Sequence, residues 1–513
     1  MAIDVKQVGG ASVVTEMPPP RPAVFATTEI PRDATVVGTF IGTTGDAGSA
    51  CGGRDGQRAH GFDGKVGQTL TVPGPDRAVQ TLVGCGDPDE LDAATIRDAA
   101  GAFGAAAERH SRLAIGLPPR DAVPTTVAVQ SIVEGALLAR YRFDALKHES
   151  ESDATPVDVL TIVVPEDDLA DARVGAERGL AFASATRLAR DLANTPHSHL
   201  SAVRMAELAQ MIADVTGLEA EVFDSEQLEA LGCGGLLGVN AGSVEPPRMI
   251  KLVYNPPFGS SDVDDEARPP HLAFVGKGVM YDSGGIALKP GDEVHAQMKN
   301  DMSGAGAVLA AMSVLRELGC TSKVTGYLMC TDNMPSGTAM ALGDVITIRG
   351  GTTVEVVNTD AEGRLIMSDA LVLATEESPD AIVDIATLTG ACMRALGTKI
   401  AGVMGNDPAL IDQVVDAADA TDEPVWELPL EPRYRKELDS SVADIKNLGG
   451  ANAGAITAAL FLAEFVGDVP WAHIDIAGTA NNATTDSWRT AGCTGFGARL
   501  LVELALGFEP PAG

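Results

Sequence analysis

The segment Asn358 to Leu365 constrains this chain most, because it places alternating charges directly after a strand-like run. It follows the apolar, β-branched run Thr353 to Val357, which has the composition of a β-strand. If the extended conformation continued, Asp360, Glu362 and Arg364 would lie on one side, with neighbours roughly 6–7 Å apart. Two carboxylates that close repel each other unless a cation lies between them. The segment therefore predicts a site for divalent cations, which prefer oxygen ligands.

A second segment, residues 275–304, is rich in glycine and holds further charged candidates. Glycine permits sharp turns, and we expect Lys277 and Asp282 to lie on such turns, where functional side chains are often held. Taken alone, Lys289 would be interpreted as a surface lysine, and Asp301 would be interpreted as a helix N-cap. One common site is favoured because four carboxylates and two lysines lie near glycine turns that follow apolar strand candidates.

Length, charge and cysteine usage limit the class of protein. A chain of 513 residues implies at least two domains. A formal net charge of −34 argues against non-specific binding to nucleic acid and against docking on anionic lipid. No apolar run of about eighteen residues predicts a membrane span, and the first residues lack the layout of a signal peptide. Seven cysteines without C-x-x-C spacing predict reduced thiols in a cytoplasmic protein.

Alternating strand-like and helical patterns predict an α/β protein with two domains. The expected parts are a smaller N-terminal α/β accessory domain, a connecting helix, and a larger C-terminal catalytic α/β domain with a mixed central sheet flanked by helices. Polar residues 260–270 predict a surface loop. Because ligands bind at the carboxyl ends of strands in such sheets, both charged segments are well placed. The expected boundaries are 1–168, 169–196 and 197–513.

Several catalytic motifs are missing from the sequence. It contains no H-E-x-x-H, no G-x-S-x-G and no G-x-x-x-x-G-K-[ST], which argues against a His-rich zinc site, a covalent serine and a phosphate loop. A dinuclear hydrolase acting on phosphoesters remains an alternative. It would need more cationic groups for its substrate than Lys289 and Arg364 supply.

The two charged segments together closely resemble the cytosolic leucine aminopeptidase family. The similarity extends over roughly residues 190–510, whereas residues 1–170 share only the general layout of the family. Met280 and Tyr281, before Asp282, are mild departures that remove no predicted ligand. Four further stretches agree with the family: 333–337, 386–391, 444–447 and 471–479.

The resemblance implies a metal centre with two divalent ions per subunit, manganese or zinc, in which Asp282 and Glu362 bridge the ions. A lysine can be a ligand only as the neutral amine, and two adjacent dications would lower its pKa. The resemblance also implies Lys289 and Arg364 as the catalytic pair, with a bicarbonate ion as a candidate ligand of Arg364. The implied metal ligands are Lys277, Asp282, Asp301, Asp360 and Glu362.

By the same resemblance, the expected activity is that of a leucyl aminopeptidase, which releases N-terminal leucine, methionine and other apolar residues from peptides through a metal-activated water. The expected assembly is a homohexamer in the cytoplasm. Two alternatives stay open: a dinuclear metallohydrolase for another substrate class, and an additional DNA-binding role, against which the acidic charge argues. The implied substrate-binding residues are Met298, Thr387, Leu388 and Gly390.

Overall fold

The computed structural model describes residues 21–44, 52–74, 78–119, 123–148, 153–257 and 268–511. Contacts divide the chain into two compact units, of which the first ends at Arg187 and also includes Asn482–Gly492. The predicted two-domain α/β architecture is confirmed. The predicted boundaries at 168/169 and 196/197 stay predictions, and most of the loop predicted at 260–270 lies outside the described residues.

The first unit contains a six-stranded sheet and the helices that pack on it. Its elements are β1 (Ala23–Thr27), β2 (Val36–Gly42), α1 (Gly53–Ala59), β3 (Thr69–Pro73), β4 (Val79–Gly86), α2 (Ala93–Ala106), β5 (Arg112–Gly116), α3 (Thr125–Leu138), β6 (Val159–Val163) and α4 (Leu169–Asn194). The division between the units falls within α4.

The strand order in this sheet is β1-β6-β5-β2-β4-β3, and only the pair β3–β4 is antiparallel. Apolar residues of β2, β5 and β6 are buried against α2 and α3. The two helices approach closely, since a Cβ on Gly104 would lie 2.5 Å from the carbonyl oxygen of Ala136. A buried ion pair, Arg97 Nε to Glu134 Oε2 at 2.8 Å, joins the same helices.

The second unit is larger and is built on an eight-stranded sheet. Its elements are α5 (Ala202–Thr216), β7 (Glu219–Phe223), α6 (Ser225–Leu231), α7 (Gly234–Asn240), β8 (Arg248–Tyr254), β9 (His271–Asp282), α8 (Glu293–Ala296), α9 (Ser303–Met312), β10 (Lys323–Asn333), β11 (Val345–Thr347), β12 (Thr353–Glu355), α10 (Gly363–Glu376), β13 (Ala381–Ala386), α11 (Gly390–Leu396), β14 (Ala401–Gly405), α12 (Pro408–Thr421), β15 (Val425–Glu427), β16 (Ile445–Lys446), α13 (Gly454–Ala463), β17 (Trp471–Asp475), β18 (Asn481–Asn482), β19 (Gly492–Cys493) and α14 (Ala498–Gly507).

The eight strands are ordered β15-β14-β17-β13-β9-β10-β8-β7. The four central strands, β17, β13, β9 and β10, are mutually parallel, and antiparallel pairs flank them. Helices cover both faces, so the central strands are almost entirely buried. Their carboxyl ends therefore meet at one edge, which is the edge that carries the charged segments. Within the described residues, none of the helices combines the length and apolar character of a membrane span.

A β-bulge lies at Met280 in β9. Thr331 of β10 is paired with Val279, and the next residue, Asp332, is paired with Tyr281, so Met280 has no partner in the register. Side chains five residues apart in a regular strand face opposite sides of the sheet. The one-residue insertion therefore brings Lys277 and the following Asp282 onto the same face.

The expectation that Lys277 and Asp282 lie on glycine turns is wrong, because β9 continues through both residues. Gly276 and Gly278, which flank Lys277, serve close packing instead. A Cβ on Gly276 would lie 2.7 Å from the Cα of Ala305 in α9. Hydrogen bonding to β10 along its whole length keeps β9 extended as far as Asp282.

The expected extended conformation of 358–364 is also wrong. Strand β12 ends at Glu355, a turn follows, and α10 begins at Gly363. The side chain of Asn447 stabilises this turn: its Oδ1 accepts from Val357 N at 2.9 Å, and its Nδ2 donates to Asn358 O at 2.7 Å. The charged side chains therefore converge through a turn and not through strand alternation.

We expect Gly304→Ala to destabilise the protein by about 1–3 kcal/mol, the usual cost of overpacking. The added Cβ would lie 2.1 Å from the carbonyl oxygen of Ile385. Gly306→Ala in the same helix is the matched control, because its Cβ would meet Met302 Cε only at 3.4 Å. Urea unfolding measures both. Equal midpoints for the two variants would contradict the close approach of α9 to the sheet.

Candidate metal centre

Lys277 lies buried among three acceptors, with 3% of its surface exposed. Its Nζ is 2.8 Å from Asp301 Oδ1 and 2.8 Å from Glu362 Oε1. It also donates to the carbonyl oxygen of Thr387 at 2.9 Å. Four segments of the chain therefore meet at this amine: strand β9, the residues before α9, the start of α10 and the residue after β13.

Lys289 binds the other side of the cluster. Its Nζ is 2.7 Å from Asp282 Oδ2 and 2.5 Å from Asp360 Oδ1. The other oxygen of Asp282, Oδ1, accepts from Gly284 N at 2.9 Å. Burial raises the pKa of Asp360, although Lys289 opposes that shift. The loop after β9 thus brings a second cation to the carboxylates.

The two lysines leave acidic oxygens without partners. Asp301 Oδ2 and Glu362 Oε2 are buried and have no hydrogen-bond partner among the described residues. The other oxygen of Asp301, Oδ1, accepts from Thr387 Oγ1 at 2.7 Å as well as from Lys277. A buried carboxylate oxygen without a partner is costly, so the site has unused capacity for cations.

The pKa shifts show how positive and negative charge compete in the site. Burial raises the pKa of Asp282 to about 6, and the Glu362 carboxylate adds to this shift. Burial also raises the pKa of Asp301 well above its usual range. For Glu362, burial works to raise the pKa, but Lys277 and Lys289 outweigh it and the pKa falls. The two lysine ammonium groups therefore stabilise the charged form of Glu362, whereas Asp282 and Asp301 have too little positive charge around them.

These residues fit divalent cations. Across the described ranges, one group of three or more His, Cys or carboxylate side chains has ligand atoms close enough for a metal. It comprises Asp282, Asp360 and Glu362, whose oxygens lie within 4.8 Å of one another. Hard divalent cations take oxygen ligands of this kind. Asp301 extends the group, because its Oδ1 contacts the same lysine as Glu362 and its Oδ2 is unpaired among the described residues.

Arg364 lies in the first turn of α10 and is buried. Its Nη1 donates to the carbonyl oxygen of Asn447 at 2.8 Å, whereas its Nε has no hydrogen-bond partner among the described residues. Burial lowers the pKa of Arg364 to about 10, although Glu362 and Asp475 oppose the shift. A buried guanidinium with an unused N–H at a helix N-terminus can hold an anion.

The four predicted substrate-binding residues lie in two segments. Met298 is half-buried in a 3₁₀ turn that leads to Asp301. Thr387 contacts the metal centre directly through Lys277 and Asp301, which the sequence analysis did not predict. Leu388 N donates to Asp475 Oδ1 at 3.2 Å, and Gly390 begins α11 at an exposed position.

Sequence reasoning missed the residues that support the ligands. Asn333, Thr359 and Asn447 are buried and hydrogen-bond to ligand-bearing segments. Their side chains are neutral and carry no metal-binding signature. Asn333 and Asn447 lie within two of the stretches that carry the family resemblance, and this was the available signal.

The fold and the site define a class of protein: an α/β protein whose larger unit gathers carboxylates and lysines at the carboxyl edge of its central sheet, a set of residues that fits divalent cations. Comparison of the sequence gives the particular family. The family model described as "Cytosol aminopeptidase family, catalytic domain" matches residues 187–502. The one described as "Cytosol aminopeptidase family, N-terminal domain" matches residues 53–150. The chain belongs to the cytosol aminopeptidase family, and it is a metal-dependent exopeptidase.

Sequence similarity to known relatives extends over most of the chain. A "Probable cytosol aminopeptidase" of Streptomyces avermitilis is 43% identical over 504 residues, covering 92% of this chain and 95% of the relative. One from Chlorobaculum tepidum is 45% identical over 387 residues, covering 74% and 75%. The solved structure "Bottromycin maturation enzyme BotP in complex with Mn" is 38% identical, with a TM-score of 0.83 over 92% of this chain and 99% of that chain.

We expect Mn²⁺ to raise the apparent Tm, because a ligand that binds only the folded state stabilises it by about 2.7 kcal/mol at 100 times its Kd. Glu362→Gln should abolish most of this rise, since it removes a ligand charge and keeps the shape. Thermal unfolding with and without Mn²⁺ measures both. An equal rise in the variant would contradict the assignment of Glu362 to the metal centre.

Proposed function

We propose that the protein is a dinuclear aminopeptidase that releases N-terminal leucine, methionine and other apolar residues from peptides. The observation that carries the proposal is the convergence of Lys277 with four carboxylates, of which Asp282, Asp301 and Glu362 are buried and Asp360 is exposed. Four carboxylates against two lysines leave a deficit of positive charge that two divalent ions would more than balance. Membership of the family supplies the peptidase activity.

The ligands divide into two overlapping sets. Asp282, Asp360 and Glu362 would hold one ion, and their mutual approach within 4.8 Å supports this set. The other ion would be held by Asp282 and Glu362 again, with the Lys277 amine and the Asp301 carboxylate. The unpartnered oxygens of Asp301 and Glu362 support the second set. The solved neighbour with Mn makes manganese the first choice over zinc.

When bound, the two metal ions would supply an activated water and would polarise the scissile carbonyl. Lys289 would stay cationic, because burial works to lower its pKa but the surrounding carboxylates raise it overall. An ammonium group placed there would stabilise the negative oxygen that develops when the peptide carbonyl is attacked. Lys277 would have a different role: it would hold metal as the neutral amine, which requires loss of its proton.

Arg364 would hold the group that moves the proton. A guanidinium does not accept protons at neutral pH, so it cannot itself be the base. Its buried, unused Nε at the start of α10 supports binding of a small anion such as bicarbonate. Arg364 would hold this anion beside the carboxylates, and the anion would supply the proton acceptor that the guanidinium cannot be.

For specificity, we propose that Met298 and Thr387 border the pocket for the first side chain. The Leu388 N–H already donates to Asp475, which leaves the Leu388 carbonyl as the group for a peptide contact. Gly390 is exposed and would contribute its backbone. The proposed setting is the cytoplasm, in keeping with the name of the relatives, and the proposed assembly is a homohexamer.

Lys289→Ala and Arg364→Ala should each lower kcat strongly, by about 10²–10³ where an oxyanion donor is lost. Metal content should stay near two ions per subunit. Lys323→Ala is the matched control, since Lys323 begins β10 at the opposite end of the sheet. Steady-state kinetics with metal analysis measures all three. Unchanged turnover in both catalytic variants would reject the roles given to them.

The substrate class can be tested against the phosphoesterase alternative. We expect hydrolysis of leucine anilide and no hydrolysis of an aryl phosphate, because the site offers only Lys289 and Arg364 as cationic groups for a phosphate. N-acetyl-leucine anilide, which lacks the free amine, is the control and should not react. Faster hydrolysis of the phosphate would favour the alternative.

A gel shift at low salt tests the DNA-binding role, for which no shift is expected.

A further inference from the structure

Asn333 is the last residue of β10 and lies directly opposite Asp282, the last residue of β9. It is 3% exposed. The bulge at Met280 creates this pairing, because without it the two residues would not be in register on the same face. A neutral amide side chain therefore ends beside a carboxylate of the proposed metal centre.

The side-chain nitrogen of Asn333 has two acceptors. It donates to Asp282 Oδ1 at 2.8 Å and to the carbonyl oxygen of Thr359 at 2.9 Å. The backbone oxygen of Asn333 accepts from Ser283, at 3.0 Å from N and 2.7 Å from Oγ. One residue thus contacts a proposed ligand and the residues next to two proposed ligands, since Thr359 precedes Asp360.

These contacts fix the orientation of the Asp282 carboxylate. Oδ1 accepts from both Asn333 Nδ2 and Gly284 N, so its lone pairs are directed at N–H groups. Oδ2 is directed at the Lys289 ammonium, on the side of the other carboxylates. A carboxylate that turned out of this orientation about its Cβ–Cγ bond would lose both hydrogen bonds, one from a buried amide and one from a backbone N–H.

The amide is itself closely packed. Gly285 has φ of 65°, and a Cβ there would lie 2.7 Å from Asn333 Oδ1 and 3.1 Å from Thr359 Oγ1. The Thr359 hydroxyl donates to Gly284 O at 2.7 Å and accepts from Ala287 N at 2.8 Å. The loop that carries Lys289 and the turn that carries Asp360 are therefore held against the same carboxamide.

We propose that Asn333 is a positioning residue of the metal centre: its carboxamide holds Asp282 and the turn at Asp360 in the geometry that binds divalent cations. The inference rests on the proposed function, because it concerns the same site. Residues that orient metal ligands typically affect metal affinity or activity by about 10–100-fold. Asn333 acts through Asp282 and touches neither substrate nor water in this role.

The test is calorimetric titration of the metal-free full chain with Mn²⁺. Asn333→Leu keeps a similar volume and removes both donated hydrogen bonds, and Asn333→Ala is the second variant. Thr325→Val is the matched control, because Thr325 is buried in the same strand and shares a 2.9 Å hydrogen bond with His271. We expect the Kd for Mn²⁺ to rise about 10–100-fold in both Asn333 variants and to stay within about twofold in the control.

A purely structural role would be recognised by other readouts. All three variants should lower the Tm, but only in the Asn333 variants should excess Mn²⁺ restore kcat toward that of the unchanged protein. Unchanged Mn²⁺ affinity in the Asn333 variants would overturn the inference, as would failure of both to fold. Absence of Mn²⁺ and Zn²⁺ binding in the unchanged protein would instead reject the proposed function.

Discussion

Unbalanced charge at the carboxyl edge of the larger sheet is the constraint on which the rest of the site depends. Four carboxylates lie around two lysines, and two of their oxygens are buried without a hydrogen-bond partner in the described part of the chain. Burial raises the pKa of Asp282 and of Asp301, which indicates that these groups lack sufficient positive charge around them. A folded protein tolerates such a cluster if the ligands are neutralised by metal, or if protons replace the metal.

The fold contributes geometry that makes this cluster possible. The central parallel strands end together, and the helices between them begin at the same edge. A one-residue bulge in β9 brings Lys277 and Asp282 to one face, and a turn held by Asn447 directs Asp360 and Glu362 toward them. Glycines at the approach of α9 permit backbone contact and so bring Asp301 close to Lys277. Each device acts on the backbone, so the ligands are positioned before any cation binds.

The sequence was sufficient to predict which residues converge, but the way in which they converge was not predictable. The charged segment at 358–365 and the lysines of 275–304 were recognisable because paired carboxylates beside lysines are hard to explain separately. The bulge at Met280 left no signal, since it depends on register with β10 and not on the type of the residue. The extended conformation expected before Arg364 failed because Asn447, far along the chain, supplies the hydrogen bonds of the turn. Neutral supporting residues such as Asn333 and Thr359 become visible only when the contacts are known.

The most direct measurement is a crystal structure of the full chain with Mn²⁺ and a leucine phosphonate, with anomalous scattering used to locate the metal. The account predicts two anomalous peaks per subunit, both in contact with Asp282 and Glu362, one of them bound by the Lys277 nitrogen and Asp301 and the other by Asp360. A single peak, or peaks bound by other residues, would contradict it.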